Sequence, residues 1–173
     1  MKRFFIFVGV MLFASASVAS DKDLREFIWT NKASFHKSSS KTISPVIDSL
    51  LELNSGGTEK FLLRWLNKEL WFRKSDGLVV TAKKLEKKSY KIFDVIDEQL
   101  IEVIDKKKIK QIKPNSGVRA IISSALVQFQ LLNADPSIRS KTLDSIARKP
   151  EERFRVPLRN CLLYTSPSPR DCL

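Results

Sequence analysis

Histidine occurs once, at position 36, and cysteine only twice, at 161 and 172. Zinc sites need several such side chains at fixed spacing, so the chain has no zinc ligand set. His36 stands beside the serine-rich stretch 37–41, with no cysteine or carboxylate cluster placed to orient it. A surface or helix-end role therefore fits it better than a general base. Beyond residue 20 no apolar run reaches eighteen residues, so that part has nothing to line a transport pore. Gly56-Gly57-Thr58 lacks the downstream Gly-Lys-Ser/Thr of a phosphate loop and reads as a turn. Asp94, Asp97, Glu98, Glu102 and Asp105 form an acidic group without EF-hand spacing, and the lysines that follow read as its charge balance. A solvated face is the reading for that group, with a hydrolase built on it kept only as a third functional hypothesis. No catalytic, cofactor or metal residue is assigned.

The two ends stand apart from the middle. Met1-Lys2-Arg3 is a short positive start, residues 4–14 are apolar and residues 15–20 are small. That layout predicts a secretory signal peptide over 1–20, cleaved after Ala19 or Ser20, and hence an exported protein. At the other end, Cys161-Leu162-Leu163-Tyr164-Thr165-Ser166-Pro167-Ser168-Pro169-Arg170-Asp171-Cys172-Leu173 has neither helical nor strand periodicity. It resembles translated sequencing-adapter sequence and is set aside as an artefactual or disordered tail over 161–173. Both cysteines lie in it, so the domain expected over 21–160 is held by its core and not by disulfides.

Charge is the abundant feature: 31 bases against 19 acids give +12. Setting aside Lys2, Arg3 and Arg170 among the bases and Asp171 among the acids leaves 28 against 18, or +10. The lysines are spread along the chain and interleaved with acids, with Lys106-Lys107-Lys108 as the one run. No nucleic-acid motif accompanies them, so a solvated lysine-rich surface is expected and nucleic acid is not a predicted partner.

Along the chain, Leu24, Phe27 and Ile28 mark a first helix within 21–35, with Trp29 on that face or at its edge. Ser44-Pro45 predicts a capped helix carrying Val46, Ile47, Leu50 and Leu51, stopped by Asn54-Ser55-Gly56-Gly57. Thr58 is expected to cap the next, whose stripe is Phe61, Leu62, Trp65, Leu66 and Leu70. The period then switches from helical to alternating. Lys74-Ser75-Asp76-Gly77 reads as a turn between two strands, with Gly77 taking positive φ, and residues 90–95 as a third strand. Residues 97–113 fit either a short helix (Leu100, Ile101, Ile104) or extended chain (Ile109, Ile112). Asn115 opens the strongest helix, marked by Val118, Ile121, Ile122, Ala125, Phe129 and Leu132, and Asp135-Pro136 starts the last, with Ile138, Leu143 and Ile146 inward. Trp71 and Phe72 lie on successive faces of a strand; one of them, if exposed, is the candidate for partner contact.

Asp135-Pro136-Ser137-Ile138-Arg139 followed by Leu143 and Ile146 is similar to the second-helix signature of HEAT-type repeats. There the aspartate caps, the aliphatic packs and the arginine ties neighbouring turns. The wider order, with Trp65, the Lys74-to-Gly77 turn including Asp76, Asn115 with Arg119, and Asp135-Pro136 with Arg139, resembles the extracytoplasmic N-terminal region of the urea ABC transporter permease subunit, in the branched-chain amino acid permease family. The resemblance covers roughly residues 21–152. Phe72 stands where that family usually has tyrosine, and residues 96–114 are richer in lysine and isoleucine. The resemblance implies a mainly α fold of HEAT-like helical hairpins with a small antiparallel insertion of two or three strands at about 70–95. It implies a non-enzymatic domain on the periplasmic side of the inner membrane. The partners it implies are the rest of the permease and a periplasmic solute-binding protein, with membrane association only through the missing pore-forming part. The alternative function is a freestanding secreted adaptor that binds another protein through its helical surface.

Overall fold

The computed structural model describes residues 21–165. The expected signal peptide over 1–20 and residues 166–173 of the expected tail, Cys172 included, lie outside the described residues. Helix α1 (Asp21–Thr30) buries Leu24 and Ile28 and places Asp21 and Asp23 in its first turn, where they complement the helix dipole. The single helix expected to Phe35 divides at Asn31, whose side-chain amide donates to the Phe27 carbonyl at 3.0 Å. Such local bonding competes with the helical ladder. A one-turn helix, α2 (Lys32–His36), follows and buries Phe35.

Helices α3 (Ser44–Glu52) and α4 (Thr58–Leu66) lie where the two helices of a hairpin were expected, and both pack against the later helix at 116–131. The expected hydroxyl caps are absent: Ser44 and Thr58 are the first residues inside their helices, preceded by Ile43 and Gly57. The turn between the helices passes close under α1, since a Cβ on Gly57 would come within 2.8 Å of the Leu24 side chain. Phe35 meets Trp65 edge-on at 5.3 Å between ring centroids and Phe61 at 5.4 Å, a favourable arrangement for buried rings.

The fold class differs from the expectation. Among the described residues there are seven helices and a five-stranded antiparallel sheet, so the architecture is mixed α and β with a sizeable sheet. The strands are β1 (Leu70–Arg73), β2 (Val79–Lys84), β3 (Ser89–Asp94), β4 (Leu100–Asp105) and β5 (Ile109–Gln111), in the order β4-β3-β2-β1-β5. The ambiguous stretch 97–113 is thus two strands rather than a helix, and the sheet runs well past residue 95. Its alternation decides this: Glu102 faces Ile92, Ile104 faces Tyr90 and Ile109 faces Arg73 across the ladders, all on one sheet surface. β5 also occupies the β1 edge that a three-stranded insertion would leave bare.

The sheet is rolled. β4 and β5 are its two outer strands, yet only the 3-10 turn Lys106–Lys108 links them. In a flat sheet these edges would lie roughly 19 Å apart, whereas four Cα steps reach at most about 15 Å even when fully extended. One surface of the roll (Leu70, Val79) packs with Val95 and Ile112 on α1–α4 and on α5 (Ser116–Leu131) in the main core. The other encloses Val80, Ile92, Ile104 and Ile109, flanked by Trp71, Ala82 and Tyr90.

Helix α5 packs against α3, α4, α6 (Pro136–Arg148) and α7 (Arg155–Thr165). Asn115 caps it by accepting from the Val118 amide at 2.9 Å, and Asp135 caps α6 by accepting from Ser137 at 2.8 Å. Helix α6 buries Thr142 and Ile146, one turn apart, and Ile146 packs with Val127 and Leu131. Ile138, Leu143 and Leu132, expected inward, are exposed instead. Cys161, from the segment set aside as tail, lies in α7 and is packed against the Leu131 and Ile146 cluster.

Candidate binding surface

Trp71 sits in the middle of β1, paired with Val80 on one side and Gln111 on the other. Alternation along the strand turns it to the inside of the roll and sends Leu70 and Phe72 to the main core. Both aromatic candidates are therefore half-buried, on opposite sides of the sheet. Phe72 is covered by the His36 ring, stacked at 3.9 Å with an interplanar angle of 19°. Trp71 lies 5.4 Å from the Tyr90 ring and opens into a cleft of about 590 Å³ lined also by His36, Ile109, Gln111 and Lys106, Lys110 and Lys113. The cleft thus pairs an aromatic floor with a rim of cations and no carboxylate, a composition suited to an acidic or planar group.

Of these cleft residues, the sequence marked Trp71 alone for partner contact. Tyr90, Lys106, Lys110 and Lys113 enter through β3 and the β4–β5 segment, whose alternating Glu102, Ile104 and Ile109 are the signal that could have located them. A third aromatic, Trp29, is exposed, with the Lys32 ammonium 3.2 Å above its ring. It borders an apolar groove of about 330 Å³ between α1 and the sheet, lined by Ile28, Leu78 and Val79.

The acidic group is committed to structure. Asp94 and Asp97 both receive the Arg25 guanidinium, and Glu98 receives Lys60 and Arg64. Helices α1 and α4 supply this balance, rather than the following lysines as expected. Arg64 also donates to the Val95 carbonyl, fastening the β3–β4 turn to α4. Glu102 pairs with Arg73 at 2.5 Å, and Asp105 accepts from the Lys107 amide at 2.7 Å to cap the 3-10 turn. Among the described residues no group of three or more His, Cys, Asp or Glu could hold a metal ion.

The other signature residues are dispersed. Trp65 is fully buried, whereas Asp76 and Gly77 form the β1–β2 turn. Gly77 adopts φ 78°, in the left-handed region. Asp76 takes a two-point contact from Arg73 (Nε 3.0 Å, Nη2 2.7 Å), and this bonding holds its carboxyl down at about 2. Arg139 donates to the Asn133 and Ala134 carbonyls at 2.6 and 2.9 Å, closing the α5–α6 turn. Arg119 is exposed on the first turn of α5. Burial lowers the His36 pKa most, and Lys32 adds to this against an opposing backbone bond at Gly77.

Comparison with family models, with curated proteins and with solved structures finds no match. Among the described residues no helix is long and apolar enough to cross a membrane.

Proposed function

We propose that the chain is a non-enzymatic domain on the extracytoplasmic side of a urea-type ABC permease. It offers the Trp71 cleft to the remainder of the permease or to a periplasmic solute-binding protein. The observation that supports this reading is that several signature residues, though dispersed over the fold, each hold a turn or a helix start. Asp76 and Gly77 make a turn, Asn115 and Asp135 cap helices, and Arg139 closes the α5–α6 turn, whereas Ile138 and Leu143 of the same signature are exposed. The non-enzymatic part is supported by the pairing of Asp94, Asp97, Glu98 and Glu102 with arginine or lysine, which leaves none of them poised as an acid or base.

Sequencing the intact locus tests the reading. Membrane helices encoded in frame beyond Asn160 are the expected result, and a frame without them overturns it in favour of a freestanding secreted adaptor. Urea is not proposed as a ligand of this domain, and calorimetry with urea should give no saturable heat.

A further inference from the structure

The lysines that look scattered in sequence converge at one end of the rolled sheet. The β2–β3 hairpin tip carries Lys84, Lys87 and Lys88, and the 3-10 turn carries Lys106, Lys107 and Lys108; all six are exposed. The two segments are stitched together, since the Lys106 amide donates to the Lys88 carbonyl at 2.8 Å and Ser89 pairs with Asp105. Among the described residues none of these six is in an ion pair. The local acids are Glu86 and Asp105, the latter engaged as a cap. The paired acids of the β3–β4 turn lie at the far end of β3, roughly 20 Å away at the rise of a strand, beyond the screening distance of about 8–10 Å.

Within this cluster one apolar side chain projects. Leu85 begins the hairpin loop, held by its amide to the Ser89 carbonyl at 2.9 Å, and is 49% exposed between Lys84 and Glu86. A lone exposed leucine is ordinary on a protein surface. At the apex of a hairpin ringed by lysines it has the arrangement of an interfacial anchor, an apolar tip able to enter the headgroup region while cations meet the lipid phosphates. Nucleic acid is a poorer fit, because the patch has no arginine and Leu85 would gain nothing from a phosphate backbone.

We propose that this end of the sheet docks on the surface of an anionic phospholipid bilayer, through the Lys84–Lys88 hairpin and the 3-10 turn, with Leu85 inserted. The patch is intrinsic to the described domain and does not depend on its membership of a permease. Each lysine held near an anionic surface raises the partition coefficient about fivefold.

The test is co-sedimentation of the full chain with vesicles of phosphatidylcholine alone and of phosphatidylcholine with phosphatidylglycerol, beside the triple variant Lys84→Glu, Lys87→Glu, Lys88→Glu and the variant Leu85→Asp. These positions are exposed, and unchanged melting temperatures would show the variants folded. The expected result is binding to the anionic vesicles that weakens with salt, falls at least roughly 100-fold in the charge-reversed triple variant, and weakens in Leu85→Asp. Equal binding by wild type and triple variant would place any affinity elsewhere and overturn the proposal, as would equal binding to neutral vesicles. Tighter retention on duplex DNA than on the vesicles at physiological salt overturns it in favour of nucleic acid.

Discussion

The Arg73 guanidinium reaches Glu102 across the inside of the rolled sheet at 2.5 Å, joining β1 to β4, two strands that share no backbone pairing. The same cation holds Asp76 in the β1–β2 turn, so one side chain sets both a local turn and the curvature of the sheet. Arg73→Ala should cost about 2 kcal/mol, because it strands two carboxylates. Glu102→Gln should cost about 0.5–1 kcal/mol, as a more exposed partner. Urea unfolding of both variants and their combination gives the coupling. A value indistinguishable from zero would mean that the pair does not brace the roll.

Asp76 makes stability depend on acid pH. Its folded pKa of about 2 lies below the ordinary aspartate value, chiefly through the Arg73 hydrogen bond. The unfolded chain therefore takes up a proton first, and the stabilisation present above pH ~4 is lost as pH falls toward 2. Thermal unfolding of wild type and Asp76→Asn across that window should show a shallower decline in the variant. Parallel curves would remove Asp76 from the account.

His36 titrates in the opposite functional range but with the same sign. Burial disfavours its charged form, so the folded pKa is lowered below its unfolded value near 6.5. Stability is then full above pH ~6.5 and declines as pH falls below it, where only the unfolded chain readily protonates. His36→Phe keeps a ring stacked on Phe72 and should abolish the slope that begins below pH ~6.5. Retention of the slope would assign it to another group.

The helix starts differ in a measurable way. Asn115→Ala and Asp135→Ala each remove a side-chain acceptor from a helix amide and should cost about 1 kcal/mol. Ser44→Ala should change stability by less than about 0.5 kcal/mol, because Ser44 lies inside α3 and caps nothing. Denaturant midpoints of the three variants decide it, and a large loss at Ser44 would contradict the cap geometry.

The helices at 44–52 and 58–66, the Gly77 turn and the helix starts at Asn115 and Asp135 were legible because each is written locally, in a few residues with fixed spacing. The length of the sheet was not. Leu100, Ile101 and Ile104 satisfy a helical period as well as an alternating one, and only the pairing of Ile104 with Tyr90 and of Ile109 with Arg73 breaks the tie. That pairing joins segments far apart in the chain, which no short window contains. The cleft beside Trp71 was hidden for the same reason, since its lysines belong to strands that had not been assigned. Ile138 and Leu143 show the converse limit: apolar spacing marked a face, but α5 covers only the part of it that holds Thr142 and Ile146.

The seam between β1 and β5 has a kinetic consequence. Trp71 finds Val80 nine residues away but must wait for Gln111, forty residues on. Loop closure grows costlier with length, so the β1–β4 meander should form first and β5 dock last. The last contact made is also the first to open, which makes this seam the place where the domain breathes. The Ile112 amide, bonded to Leu70 across it at 2.8 Å, should exchange with solvent sooner than the amides between β2 and β3. Equal protection would mean that the roll closes in a single step.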